Sequence, residues 1–353
     1  MRIPTTKYTI KETMMNGSTD ASGAARARGA CRGWIMTALS AVALMAATTL
    51  AATSGVAAET AQRFVLITKS NASPYWLAVK AGAQDAAKKY GVQLDYQAPA
   101  TDTDLQTQIG MVNNAVTSHA NGIILAAQQP DALTQPVRHA KSAGVHVVTV
   151  DSGIEPGVAD SNLATDNAAA AAALATFVAK EAGGKGSYGI INFNETADVG
   201  ISRPKGFRQG MAAFPDMKLV GTQICGDDVA KAKAQTEAMI QSNPGIKMIY
   251  GADDRCTLGI AQAVRETGNK GKVLVAGSDA ELGVVDLIRQ GVISASVLQS
   301  PYDMGYRAVE SLVNLGKGQP VPKSVDTKFF IITPRNIDSP QAQSFLKQYL
   351  SAQ

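Results

Sequence analysis

Histidine is scarce in this chain. His119, His139 and His146 are the only 3 among 353 residues, and they are scattered with no metal-ligand spacing. No GxSxG elbow and no P-loop is present. One stretch, Gly184-Lys185-Gly186-Ser187-Tyr188-Gly189, fits GxGxxG. It precedes a strand-like run rather than following one, so the dinucleotide-binding context fails. Internal repeats, low-complexity tracts and heptad seams are lacking as well. No metal, no cofactor and no catalytic residue is therefore expected. An excess of charge of one sign is missing too, once the first 58 residues are set apart. They hold 6 of the 33 basic residues and 2 of the 29 acidic ones, which leaves 27 of each in the remainder. The sequence pI of 8.8 belongs to the whole chain. With no basic patch, neither nucleic acid nor an anionic membrane surface is expected as a partner.

Those first 58 residues read as a presequence. Arg26, Arg28 and Arg32 form a basic region, an apolar run follows from Trp34 to about Leu50, and Val56-Ala57-Ala58 ends in small residues. This is the layout of a secretory signal peptide cleaved after about Ala58, which places the mature chain in the periplasm. An uncleaved membrane anchor is the rival reading. Met14, Met15 and Met36 are alternative starts, and Cys31 precedes the apolar run, out of place for lipid attachment.

The remaining 295 or so residues suffice for two domains with their own cores. Apolar strand-like runs at 64–68, 92–96, 122–127, 146–150, 187–193, 218–224, 247–251, 273–277, 294–298 and 328–332 alternate with amphipathic patterns. The helices are predicted at 75–90, 104–118, 131–143, 167–182, 203–214, 229–242, 256–268, 280–290 and 302–316. That rhythm predicts parallel sheets with helices on both faces. A final short helix is expected within 339–353, on the second domain.

Open parallel sheets bind ligands beyond the carboxyl ends of their strands, so the strand-end loops carry the functional candidates. The first is Asn71-Ala72-Ser73-Pro74-Tyr75-Trp76. Its rings offer flat apolar faces and Ser73 a hydroxyl at the strand end. Adjacent aromatics on a helix point about 100° apart, so one of them could serve packing alone. The fourth strand ends in Asp151-Ser152, and an ionised carboxylate there accepts from two hydroxyls. Arg203-Pro204-Lys205-Gly206-Phe207 opens a predicted helix with a cation, a mildly unfavourable placement that suggests a purpose. Asp253-Asp254, Gly277-Ser278-Asp279 and Val297-Leu298-Gln299 end further strands. Ordinary turn and cap chemistry is the alternative for each of these carboxylates.

Taken together, these segments resemble the periplasmic sugar-binding proteins of ABC importers, the ribose-binding-protein-like group of the type I periplasmic binding protein superfamily. The resemblance spans nearly the whole mature chain. It implies two Rossmann-like doubly wound parallel-sheet lobes, a three-segment hinge and a ligand cleft between the lobes. The implied division is 59–165 with 300–328 for the first lobe and 166–299 with 329–353 for the second. The implied ligand set is Ser73, Tyr75, Trp76, Asp151, Ser152, Arg203, Asp227, Asp253, Asp279 and Gln299. Here Asp253 takes the ligand-facing place and Asp254 caps the helix. The family often has Arg where Ser152 stands, Asn where Asp253 stands and Phe where Ser278 stands. Asp227 falls near a position that is aromatic in ribose binders, which would leave one stacking ring missing.

Cys225 and Cys256 flank two of these loops. In an oxidising compartment an even pair invites a disulfide that would staple the loops together; two free buried thiols are the alternative. The function implied is a monomeric receptor that captures a small neutral sugar or polyol, closes by hinge motion and hands it to a membrane permease. A receptor for a sugar-like autoinducer or for chemotaxis would use the same binder. A secreted glycosidase or dehydrogenase lacks its nucleophile or cofactor motif, and a transcription regulator of this fold would carry a helix-turn-helix where the export signal stands.

Overall fold

The computed structural model describes residues 61–350 apart from Ala72 and Glu281. The expected export signal, its cleavage point and Cys31 lie outside the described residues. Two six-stranded sheets organise the rest. The first holds β1 (Arg63–Ile67), β2 (Gln93–Gln97), β3 (Gly122–Leu125), β4 (His146–Val150), β5 (Ser161–Ala164) and β11 (Ser324–Asp326). The second holds β6 (Lys185–Asn192), β7 (Asp216–Ile224), β8 (Met248–Gly251), β9 (Leu274–Ser278), β10 (Ala295–Leu298) and β12 (Phe330–Ile332). Their orders are β11-β5-β4-β3-β1-β2 and β12-β10-β9-β8-β6-β7. All pairings are parallel except β10 with β12. Both sheets thus follow one doubly wound scheme, with switch points between β1 and β3 and between β6 and β8.

The helices are α1 (Pro74–Tyr90), α2 (Leu105–Thr117), α3 (Pro130–Ser142), α4 (Asn167–Glu181), α5 (Asp198–Met211), α6 (Val229–Ser242), α7 (Asp254–Glu266), α8 (Leu282–Arg289), α9 (Pro301–Gly316) and α10 (Pro340–Leu350). The chain passes from one sheet to the other three times, between Ala164 and Asn167, Leu298 and Pro301, and Asp326 and Phe330.

Central strands are apolar along most of their length because helices cover both faces. In β3 every residue of Gly-Ile-Ile-Leu is buried. The edge strand β2, Gln-Leu-Asp-Tyr-Gln, has no fully buried residue. Two strands were not anticipated from sequence, β5 (Ser-Asn-Leu-Ala) and β11 (Ser-Val-Asp). They are short and largely polar, and backbone pairing at the sheet margin, not a hydrophobic run, makes them strands.

Close helix contacts fix the loops that matter. Helix α9 returns from the second sheet and crosses α1 at Gly305 and Gly82. A Cβ at Gly305 would come within 3.0 Å of Val79 O, and one at Gly82 equally close to Tyr302 O. Helix α5 lies as tightly on the alanine-rich α4, with Gly206 and Gly210 against the Ala168 and Ala172 carbonyls.

Helix α5 also corrects an expectation. It starts at Asp198, five residues before the predicted start at Arg203. Asn194 Oδ1 accepts from the Thr196 and Ala197 amides and closes the turn that leads in. The helix then runs through Pro204, which has no N–H for the Gly200 carbonyl. Asn192 Nδ2 donates to that carbonyl instead, at 2.9 Å. The terminal helix α10, expected on the second lobe, touches both. It packs against α1 and α9 on one side and β12 on the other.

Candidate functional site

The first wall is built where β1 and β4 end. Ser73 caps α1, its Oγ accepting from the Tyr75 amide, and Pro74 occupies the first turn, where its missing N–H costs nothing. This start buries Tyr75 and Trp76 edge to face, ring centres 5.0 Å apart. Asp151 follows β4 with φ of 61°, a left-handed conformation that Asp tolerates better than most residues. Its Oδ1 accepts from Tyr75 Oη at 3.0 Å and its Oδ2 from Lys69 Nζ at 3.0 Å. Lys69 also donates to Ser152 Oγ at 2.6 Å and lies 5.6 Å from the Trp76 ring centre. Burial pushes the Asp151 carboxyl up, but Lys69, Arg203 and the Tyr75 hydroxyl outweigh it and hold it below the ordinary value. Burial, then the Asp151 charge, raises the Tyr75 phenol well above its usual value, so it stays protonated and donates.

The second wall repeats the device with a different cation. Asp279 follows β9, also left-handed at φ of 65°. Its Oδ2 accepts from Arg203 Nη1 at 3.1 Å, and its Oδ1 from Gln299 Nε2 at 2.8 Å and Tyr349 Oη at 3.2 Å. Arg203 is fixed further by Nε to Asn167 Oδ1 and Nη1 to the Ala252 carbonyl, both 2.8 Å. Burial disfavours its charge, yet Asp279 first, then other neighbours, raise its pKa above normal. Gln299 Oε1 is buried and finds no partner among the described residues.

Between the walls lies a cavity of about 80 Å3. Nine of the ten sequence-predicted residues line it: Ser73, Tyr75, Trp76, Asp151, Arg203, Asp227, Asp253, Asp279 and Gln299. Ser152 does not; it is buried behind Asp151, to whose Oδ2 its hydroxyl also lies within 3.1 Å. The expected division between Asp253 and Asp254 changes. Helix α7 begins at Asp254, and Asp253 is the cap, with Oδ1 accepting from the Cys256 amide at 2.7 Å. Asp253 therefore both caps and faces the cavity, and Asp254 lines it too. Asp227, with φ of 63°, pairs with Arg255 Nε at 3.5 Å. Carboxylate oxygens of Asp227, Asp253 and Asp254 lie within 4.8 Å of one another. Burial first, then Asp227, pushes the Asp253 carboxyl well above its ordinary value. Cys225 and Cys256 form a disulfide that ties the Asp227 loop to the first turn of α7.

Sequence reasoning missed Lys69, Ser70, Asp102, Phe193, Val199 and Arg255 among the lining residues. Phe193 revises the expectation of a missing ring, since an aromatic from the end of β6 stands on the second wall. Lys69 and Arg255 add two cations to the expected Arg203. Lys69 and Phe193 had a usable signal, because they stand second after β1 and first after β6, at the carboxyl ends of parallel strands.

The periplasmic binding protein domain family matches residues 64–320. The D-allose-binding periplasmic protein of Escherichia coli is 30% identical over 281 residues, 77% of this chain and 90% of that protein. A D-apiose import binding protein of Paraburkholderia graminis is 31% identical over 76% of this chain and 86% of its own length. Among solved structures, an ABC transporter solute-binding protein of Agrobacterium vitis with bound D-fucose superposes with a TM-score of 0.77 at 30% identity. It covers 80% of this chain and 99% of its own.

Proposed function

This chain belongs to the periplasmic binding protein family, and from that premise we propose that it is a periplasmic receptor for a neutral monosaccharide or polyol, which it delivers to the membrane permease of an ABC importer. One observation carries the ligand class: each wall of the cavity presents a buried carboxylate already paired with its own cation, Asp151 with Lys69 and Asp279 with Arg203. Each of these two pairs is neutralised from within and gains little from a charged ligand group. Its carboxylates and cations still offer acceptors and donors in fixed directions, as a ring of hydroxyls requires.

In this reading the hydroxyl edges meet Asp151, Lys69, Arg203, Asp253, Asp279 and Gln299, and the unpartnered Gln299 Oε1 accepts one hydroxyl hydrogen. Tyr75, Trp76 and Phe193 cover the C–H faces, while Ser73 and Asp227 stand at the rim. Ligand entry requires the walls to part, and closure is driven by contacts that only the ligand-bound pair of lobes makes. The relatives' allose and apiose and the neighbour's fucose favour pentoses and hexoses. Binding involves no turnover, and the receptor acts as a monomer.

A thermal-shift screen of pentoses, hexoses, inositols and linear alditols tests this, with a purine and amino acids as controls. A ligand at a hundred times its Kd stabilises the fold by about 2.7 kcal/mol. A melting point raised by a purine or amino acid and by no sugar refutes the class. Radiolabelled sugar recovered chemically unchanged is the expected outcome for a receptor.

A further inference from the structure

The terminal helix α10 carries a buried stripe, Ala342, Leu346 and Tyr349, at helical spacing. Its Phe345 ring stacks on Phe330 of β12, 5.6 Å away. Tyr349 is 2% exposed and its ring centre lies 6.2 Å from that of Tyr75, on the first wall. Its hydroxyl reaches the second wall, where it accepts from the Gln299 amide at 2.9 Å and donates to Asp279 Oδ1 at 3.2 Å. One side chain from the last helix therefore touches the first-wall ring, the segment that crosses between sheets, and the second-wall carboxylate.

We propose that Tyr349 is a positioning residue for ligand binding, which aims Asp279 at the cavity and ties that aim to the place of Tyr75 on the opposite wall. Asp279 Oδ1 receives two donors, Gln299 Nε2 and Tyr349 Oη, and its Oδ2 receives Arg203 Nη1. Three donors fix the rotation of a carboxylate and leave lone-pair room for a ligand hydroxyl. Burial, then the charge of Asp279, raises the Tyr349 phenol well above its usual value and keeps it a donor. Tyr349 itself does not line the cavity, so it acts through Asp279 and Gln299.

The proposal rests on the sugar-receptor reading for its affinity arm only. Titration calorimetry with D-allose compares the wild type with Tyr349→Phe, which keeps the ring and loses the hydroxyl, and with Phe345→Leu, which trims the same helix away from the site. Tyr349→Phe is expected to weaken D-allose binding about tenfold, while Phe345→Leu lowers the melting point and leaves the Kd unchanged. An unchanged Kd in Tyr349→Phe, or an equal loss in Phe345→Leu, overturns the proposal. A wild type that binds no D-allose counts against the sugar reading, and the ligand-free arm then decides. There the 13Cγ resonance of Asp279 moves in Tyr349→Phe and stays in place in Phe345→Leu; a resonance that stays in both overturns the positioning role.

Discussion

Lys69 Nζ and Asp151 Oδ2 stand 3.0 Å apart, and both side chains are 5% exposed. The pair joins the second residue past β1 to the first residue past β4, and it sits under the Trp76 ring. A buried pair of this kind is no proof of stability, because desolvating both charges offsets much of their attraction. Breaking it from one side has a clear sign, however.

Lys69→Met should destabilise the chain by about 3–5 kcal/mol, since it leaves Asp151 buried without its nearest cation. The folded carboxyl lies below its ordinary value of 3.8, so its contribution is present above that pH and is lost as pH falls through the folded pKa. Without Lys69 that loss begins at higher pH. Urea unfolding of both proteins at a series of pH values reads both effects; parallel curves would disprove the coupling.

Asp253 has the opposite sign. Its carboxyl is raised above 3.8, so the folded state loses stability as pH climbs from that value to the raised one. Asn keeps the oxygen that caps α7 and does not titrate. The gain in melting point from Asp253→Asn should therefore be small near pH 4 and grow towards neutral pH. A difference independent of pH counts against the burial and the Asp227 interaction.

The Cys225–Cys256 bond closes a span of 31 residues. Chain-entropy arguments put its loss at about 3–4 kcal/mol. The double variant Cys225→Ala/Cys256→Ala should melt lower and also bind sugar more weakly, because Asp227 and Asp253 are no longer tied to one another. Dithiothreitol should reproduce both effects in the wild type, and a reduced protein with unaltered binding would separate the bond from the site.

Gly305→Ala and Gly110→Ala form a contrasting pair. The first drives a methyl group into the Val79 carbonyl and forces α9 off α1, which costs about 1–3 kcal/mol and displaces Tyr75 and Trp76. The second meets nothing within 4 Å in the middle of α2 and should stabilise by up to about 1 kcal/mol. Chemical denaturation of the two variants tests the close crossing directly.

Central strands and most helices were legible because burial on both faces writes a continuous apolar run into the sequence, as in Phe64–Ile67. The edge strand β11 and its neighbour β5 were not, since backbone pairing alone makes Ser-Val-Asp and Ser-Asn-Leu-Ala extended. The start of α5 was misread because Pro204 looks like a first-turn residue. Only Asn192, on a neighbouring strand, explains how the helix tolerates it. The two sheets share a strand order, yet no sequence repeat announces it, because doubly wound sheets constrain pattern and not residue identity.

The sequence by itself determined where the carboxylates stand, at the ends of parallel strands, because the alternation of strand and helix leaves loops only there for polar chemistry. Tertiary structure decided their partners. Lys69 meets Asp151 across 82 residues, Arg203 meets Asp279 across 76, and Tyr349 meets Asp279 across 70. Such pairings depend on which strands lie side by side and on how closely glycine lets the helices approach. No local pattern records either, and through them the direction in which Asp151 and Asp279 face the cavity is set.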